Sequence, residues 1–376
     1  MDFAFTAEQA MLQDAARGFF SRHAPPGSGR ALLNDATGYD PAAWRALVAM
    51  GWLGIDLPED IGGLGLGLVE MAIILEQAGQ SLCTLPSLAS VGLAAPAVLA
   101  VAAADQSRAL LDPIVAGEII ATLACCGRAG VALQLDATLR RDGSGFRLDG
   151  AAGFVPFGHI ADALFVVASG ADDPSTLCLL HLAPDAPGLT IDRPTQMDLL
   201  RPEAHLRFDH VVVPAAALLS ADASAEAALR RVIDRATILT AAGQVGGAQR
   251  CLDLSLDYAR QRLAFGRPIG SFQAIKHRLA DMAMQVETAR SAVYYAACLA
   301  QEGDDRALAY AATMAKVHCS DAFSQCAADA IQIHGGIGFT WDHDAHLLFK
   351  QAQSASMLFD SPDAACQRMA DLLELA

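Results

Sequence analysis

Between about Gly117 and Leu219 the hydrophobic periodicity drops towards two; on either side it is helical. This change of texture constrains the fold more than any other feature. Strands gathered in mid-chain, with helices before and after, imply a separate β domain rather than βαβ winding. Arg140 to Leu148, with Asp142-Gly143-Ser144-Gly145 at its centre, reads as strand, tight turn, strand. Ala163 to Ala168, Thr176 to Leu182 and Leu206 to Val213 are short apolar runs bounded by turn formers, the last stopped by Pro214.

The flanks read as helices. Thr6-Ala7-Glu8-Gln9 has the pattern of a capping box, followed by Leu12, Ala16, Phe19 and Phe20 at helical spacing. Asp40-Pro41 is an N-cap with proline at the first helical position, and Gly51 closes that helix. A third helix runs from about Leu68 to Ala78. After Ser224, Ser271 is a candidate N-cap, and Phe272, Ile275, Leu279, Met282, Val286, Ala289 and Val293 trace one face. Asp305 to Gln332 supplies another long helix, so the C-terminal part reads as an antiparallel bundle. The expected domains are 1–116, 117–220 and 221–376.

Composition removes several functions. A formal net charge of −16 argues against nucleic-acid binding and against adhesion to anionic membranes. The nine cysteines are scattered without a CxxC pair, which disfavours zinc ribbons and fits a reducing cytosol. The N-terminus, Met1-Asp2-Phe3-Ala4-Phe5, lacks a signal-peptide pattern. The apolar run from Leu88 to Ala104 contains Pro96 and has no basic flank, so it reads as a buried helical segment. Gly62 to Gly67 has the wrong spacing and context for a dinucleotide fingerprint. His343-Asp344-Ala345-His346 reads as a polar helix start rather than a metal site. A nucleophile elbow of the GxSxG type is absent.

Two C-terminal motifs carry more. Ile331-Gln332-Ile333-His334-Gly335-Gly336-Ile337-Gly338-Phe339-Thr340-Trp341 ends a long helix in a double glycine. That is a helix C-cap by itself, and also bare backbone that a phosphate or sugar could approach. Upstream lies Arg262-Leu263-Ala264-Phe265-Gly266-Arg267-Pro268-Ile269-Gly270-Ser271-Phe272-Gln273. In this order the motifs resemble the acyl-CoA dehydrogenase family of flavoproteins. Leu57 to Gly65 resembles that family's N-domain loop, Gly153 to Gly158 its segment beside the flavin, and Phe208 to Pro214 its last middle-domain strand.

The resemblance implies an α+β fold: an N-terminal α-helical domain, a middle β-barrel or sandwich domain and a C-terminal four-helix bundle. It implies FAD at a subunit interface. Arg262 would reach a neighbour's pyrophosphate, Phe265 would pack on the cofactor and Gln273 would supply an amide. Gln332, Gly335 and Gly336 would lie along the adenosine half, with Phe154 and Pro156 beside the flavin. The implied reaction takes an α-proton from an acyl-CoA with a carboxylate and passes the β-hydrogen to the flavin as hydride. An electron-accepting flavoprotein would then reoxidise the enzyme.

Three positions depart from the family. Where it commonly has an aromatic-Glu-Gly-Thr turn, this chain has Phe359-Asp360-Ser361-Pro362. Asp360 is the best match for the base, one methylene shorter; its other reading is a turn or capping aspartate. The alternative base position is Ala236, followed by Thr237, with Asp234 and Arg235 assigned to another helix face. The hydroxyls and acids of the middle-domain flavin loop are replaced by Leu123-Ala124-Cys125-Cys126-Gly127-Arg128-Ala129-Gly130. Such losses resemble a branch acting in bacterial steroid degradation, in which unlike subunits form α2β2 tetramers. The expectation is a cytoplasmic FAD-dependent acyl-CoA dehydrogenase subunit acting on a bulky or steroid side-chain acyl-CoA. The alternatives are a non-catalytic scaffold that completes a partner's FAD site, and a homomeric enzyme using Asp360.

Overall fold

The structure is a computed structural model describing residues 5–221 and 224–374. Met1 to Ala4, part of the N-terminal stretch read against a signal peptide, lie outside the described residues, as do 222–223 and 375–376 at the start and end of the third expected domain. Five α-helices come first: α1 (Ala7–His23), α2 (Pro41–Ala49), α3 (Leu68–Gln80), α4 (Ala95–Val101) and α5 (Ala104–Val115). Thr6 and Gln9 form the expected capping box on α1, and Asp40 caps α2 by accepting from the Ala42 N–H at 2.8 Å. The apolar run from Leu88 splits into a π-helical turn over Leu88–Ala94 and α4, ending where Ala102 turns extended. Among the described residues no helix is long and apolar enough to cross a membrane.

The middle section holds β1 (Ala121–Ala124), β2 (Asp136–Asp142), β3 (Gly145–Pro156), β4 (Ala163–Gly170), β5 (Leu177–Leu182), β6 (Leu189–Asp192), β7 (Glu203–Val213) and β8 (Leu218–Ser220). They form one sheet in the order β6-β7-β3-β2-β4-β5-β8, with β1 pairing parallel to β4. The β2–β3 hairpin has the expected register, Asp142 opposite Gly145 around a turn at Gly143. One face of the sheet packs its own core around Leu148, Leu164, Val166 and Phe208. The other face, through Phe165 and Val167, joins the core of the helices.

The remaining helices are α6 (Ser224–Gln261), α7 (Gln273–Leu299), α8 (Asp305–His334), α9 (Ala345–Met357) and α10 (Pro362–Leu372). A small hairpin, β9 (Leu263–Ala264) and β10 (Arg267–Pro268), separates α6 from α7. Ser271 does not cap α7. A 3₁₀ turn over Ile269–Ser271 precedes the helix, and the Ser271 hydroxyl donates to the Pro268 carbonyl at 2.7 Å. The α7 face traced in the sequence is buried at Leu279, Met282, Val286, Ala289 and Val293.

Helix α3 connects the N-terminal section to the bundle by crossing α6 at glycines. A Cβ on Gly79 would lie 2.1 Å from the Gly243 carbonyl oxygen, and one on Gly246 would lie 1.9 Å from the Glu76 carbonyl oxygen. Beside this crossing the Glu76 carboxylate accepts from Arg290 Nε at 2.9 Å and from the Tyr294 hydroxyl at 2.7 Å, tying α3 to α7. The crossing predicts a contrast within one helix. Gly246→Ala should destabilise the protein by about 1–3 kcal/mol, because the backbones must part. Gly243→Ala, whose Cβ would have only a neighbour at 3.9 Å, should cost nothing or stabilise by up to about 1 kcal/mol through helix propensity. Urea unfolding of the two variants decides; equal midpoints would contradict the close crossing.

Candidate active site

The crossing leaves a cavity of about 90 Å³ between helices and sheet. Ile74 and Gly79 come from α3, Leu239 and Thr240 from α6, Phe157 from the loop after β3, and Leu358 from the segment after α9. A second cleft opens on the other side of that segment, where Ala132, Asp234, Asp360 and Arg368 converge. Asp360 follows Leu358 by two residues, so the carboxylate carrier lies between a largely apolar enclosure and an open polar cleft.

The segment carrying Asp360 is held from several sides. The Ala132 N–H donates to the Phe359 carbonyl at 2.6 Å, and Phe359 has a left-handed φ of 70°. Lys316, fully buried on α8, donates to the carbonyls of Ala355 at 3.0 Å and Leu358 at 2.9 Å. Both carbonyls lie at the end of α9, where Ala355 also accepts from the Leu358 N–H at 3.4 Å, so the ammonium acts as a C-terminal cap from outside the helix. Asp360 does not cap α10: Ser361 does, its hydroxyl accepting from the Ala364 N–H at 3.2 Å. The Asp360 carboxylate lines the cleft, where it meets the Ala132 N–H.

Electrostatics follow from burial. Burial raises the Asp360 carboxyl above the usual range; Arg368 and Lys316 pull it back, and Asp234 adds to the rise. Burial pushes the Lys316 ammonium down to about 7, with Asp360 opposing. Asp234, on α6 two residues before Ala236, is buried. It lines the cleft and pairs with Arg368 at 2.7 Å. Ala236 and Thr237 are buried, and the Thr237 hydroxyl is spent on the Ile233 carbonyl.

The residues assigned to the dinucleotide gather at one end of the bundle. Phe265 and Gly266, both at positive φ, turn the β9–β10 hairpin, and Phe265 is 95% exposed. Arg262 and Gln273 flank it and are exposed; Gln273 Nε2 lies 3.4 Å from His277 Nε2. Gln332 is exposed on the last turn of α8. Gly335 follows with φ 63°, and nothing lies within 4 Å of a Cβ added at Gly335 or Gly336. Tyr258 of α6 packs on His334 with ring centroids 4.5 Å apart, which joins the two motifs. Exposed Ile337, Phe339 and Trp341 extend the same surface. His343 and Asp344 are engaged at the start of α9: His343 Nδ1 accepts from the Ala345 N–H, and Asp344 accepts from Arg30.

Phe154 and Pro156 stand elsewhere, at the end of β3. Phe154, at φ 53°, packs against Gly130. Pro156 has no N–H, and its carbonyl accepts from the Thr122 hydroxyl at 2.6 Å. The neighbouring loop donates inward, the Gly127 N–H going to the Gln134 carbonyl at 2.7 Å. An exposed cation, an exposed aromatic ring and open glycine backbone are residues that could hold a dinucleotide. Beside Pro156, the Thr122 hydroxyl and the Gly127 N–H are already engaged.

Sequence reasoning missed Lys316, Arg201 and Gln351. Lys316 stands among Ala311, Ala312 and Ala315 on a buried helix face, a position where a cation demands a partner, and that was the available signal.

Helical, sheet and helical sections around a waist cavity, with Asp360 in a neighbouring cleft, define an α–β–α protein. Family models for the acyl-CoA dehydrogenase N-terminal and C-terminal domains match residues 6–118 and 225–359. The chain belongs to the acyl-CoA dehydrogenase family. It is 34% identical to the acyl-CoA dehydrogenase IpdE2 of Mycobacterium tuberculosis over 96% of each chain. The ChsE4-ChsE5 complex from Mycobacterium tuberculosis contains a chain of TM-score 0.90 and 27% identity, covering 100% of both. A variant of the Tcur3481-Tcur3483 steroid ACAD matches with TM-score 0.87 and 31% identity over 98% of each chain.

Lys316 supplies a pH test. Its folded pKa of about 7 lies below the ordinary lysine value of 10.5, so between those values the unfolded chain holds more protons. The contribution of this group to stability therefore rises with pH across that window. In Lys316→Met the melting temperature should climb less between pH 7 and 10 than in the unaltered protein; parallel curves would contradict the burial argument.

Proposed function

We propose that the chain is one subunit of a heteromeric, FAD-dependent acyl-CoA dehydrogenase that converts an acyl-CoA from steroid breakdown to its trans-2-enoyl-CoA. The observation that carries this reading is Asp360, its carboxyl raised by burial, on a segment that borders an apolar cavity on one side and an open cleft on the other. The cleft suits the pantetheine arm, and the cavity suits the acyl carbons. At about 90 Å³ it is smaller than the ~150 Å³ that holds a benzene ring. It would take the carbons next to the thioester, and a bulky remainder would extend past it.

In this reading Asp360 accepts the α-proton. A carboxylate within hydrogen-bond reach of that proton contributes about 10²–10⁴-fold. Lys316 holds the Leu358–Asp360 segment against the cavity, so that a side chain one methylene short still reaches. Apolar walls from α3 and α6 keep water from the reacting carbons. The chemistry that FAD supplies, when bound, is acceptance of the β-hydrogen as hydride, with electrons passing on to a flavoprotein acceptor. Arg262, Phe265, Gln273, Gln332, Gly335 and Gly336 serve the dinucleotide half of a neighbouring subunit's FAD. Phe265 stays almost fully exposed within its own chain, which favours a partner. The poor ring wall at Pro156 and Cys125-Cys126 favours an unlike partner with the complete ring site. All nine cysteines are free thiols, as a reducing cytoplasm keeps them.

Asp360→Asn keeps shape and removes basicity. It should slow flavin bleaching by acyl-CoA about 10²–10⁴-fold in stopped-flow measurements. A change below about threefold would move the base to the partner and leave this chain a supporting role. Because burial raises the Asp360 carboxyl, the acid limb of kcat/KM should fall at a higher pH than an ordinary aspartate gives. Arg262→Ala removes a charge-assisted phosphate contact worth roughly 1.5–3 kcal/mol, and so should weaken FAD retention about tenfold or more. Unchanged flavin content after dialysis would overturn that assignment.

A further inference from the structure

The waist cavity is not wholly apolar. Arg201, at the turn before β7, lines it. Its Nη1 is buried and has no hydrogen-bond partner. Asp198 and Glu203 are near enough for their charges to feel the guanidinium. Neither reaches Nη1: Asp198 accepts from the Leu200 N–H at 3.0 Å, and Glu203 from Gln196 Nε2 at 3.2 Å. Gln351 of α9 lines the same cavity from the other side of the waist. It is 8% exposed, and its Oε1 also has no partner. Two unrelated elements thus bring unsatisfied polar groups to one enclosure.

Leaving a buried donor unmet costs about 1–3 kcal/mol, and more for a charged group. Buried polar atoms are otherwise almost always paired. The Thr240 hydroxyl is spent on the Ala236 carbonyl, while Thr84 and Ser87 also line the cavity. A guanidinium is planar and matches a carboxylate by two parallel bonds. The Gln351 amide presents its oxygen or, rotated by 180°, its nitrogen, so it can meet either a hydroxyl or a second acceptor oxygen.

We propose that Arg201 and Gln351 form a recognition site for an oxygen acceptor, a carboxylate or an oxo group, on the acyl portion of the substrate. The proposal rests on the acyl-CoA reading and narrows it. The preferred thioester is an oxygenated one, of the kind left when a ring is opened by oxidation or hydrolysis, rather than a plain hydrocarbon chain. A methyl-ended chain displaces water from these groups without replacing its hydrogen bonds, and so loses affinity. An oxygen-ended chain of matching length restores them. The asymmetry resembles any site built to hydrogen-bond a substrate: the analogue lacking the group is rejected because the protein's own polar atoms stay unpaired.

The test compares succinyl-, glutaryl- and adipyl-CoA with butyryl-, valeryl- and hexanoyl-CoA, by calorimetric binding to the protein in its purified native assembly. At one chain length the carboxylate-ended thioester should bind about tenfold tighter or more than its methyl-ended counterpart. In Arg201→Met that ratio should fall towards one while flavin content holds; in Gln351→Leu it should fall in part. Arg201→Lys, which keeps the charge without the fork, should retain an intermediate ratio and serves if the methionine variant does not fold. No preference at any length in the unaltered protein would overturn the proposal, as would a preference that survives Arg201→Met. Loss of flavin from Arg201→Met with the preference intact would show that the guanidinium meets a cofactor oxygen instead. Failure of every thioester to bind the unaltered protein would remove the acyl-CoA reading itself, and this inference with it.

Discussion

The contact on which the rest depends is the crossing of α3 and α6, where Gly79 meets Gly243 and Gly246 meets Glu76 backbone to backbone. With a side chain at Gly79 or Gly246 the helices would stand further apart. The cavity wall they share through Ile74, Gly79, Thr240 and Gly243 would then open. The same crossing brings Glu76 to Arg290 and Tyr294, so that a buried carboxylate joins α3 to α7 instead of standing alone. Breaking such a pair by removing one partner is far more costly than the pair's own net worth. Packing and electrostatics therefore fix the same geometry twice.

The site inherits its chemistry from burial. Asp360 and Lys316 are acid and base of opposite charge in one poorly solvated region, and burial pushes each towards its neutral form. A carboxylate with a raised pKa is a stronger base than an ordinary aspartate, which suits removal of a weakly acidic α-proton. Lys316 meanwhile takes the two carbonyls at the end of α9 and fixes where Asp360 can be. The exposed end of the bundle works in the opposite way. Phe265 and Phe339 face solvent, and Gly335 keeps its backbone bare.

Much of this was legible in the sequence. The change of period near Gly117, the capping box at Thr6 and the hairpin at Gly143 are local signals, and local hydrogen bonding decided them. Ser271 misled because its hydroxyl found a nearer acceptor in Pro268 when the backbone made a 3₁₀ turn. The long apolar run after Leu88 is the buried helical segment its composition indicates, its first part wound as a π turn. The motifs ending in Gln273 and Gly336 were visible as strings, but their meeting through Tyr258 and His334 was not, because the two residues are far apart in the chain. Lys316, Arg201 and Gln351 escaped for the same reason. A polar residue shows its importance only when its burial and its missing partner are both known, and neither is written in one dimension.

The central claim is that this chain completes a cofactor site it does not wholly contain. The most direct measurement is the ratio of FAD to polypeptide in the assembly purified from its own cells through a tag on this chain, with subunit identities read by native mass spectrometry. The account predicts a second, unlike acyl-CoA dehydrogenase-type chain in the complex and half as many FAD molecules as polypeptides. A homomer carrying a full complement of FAD, one to each copy of this chain, would contradict it.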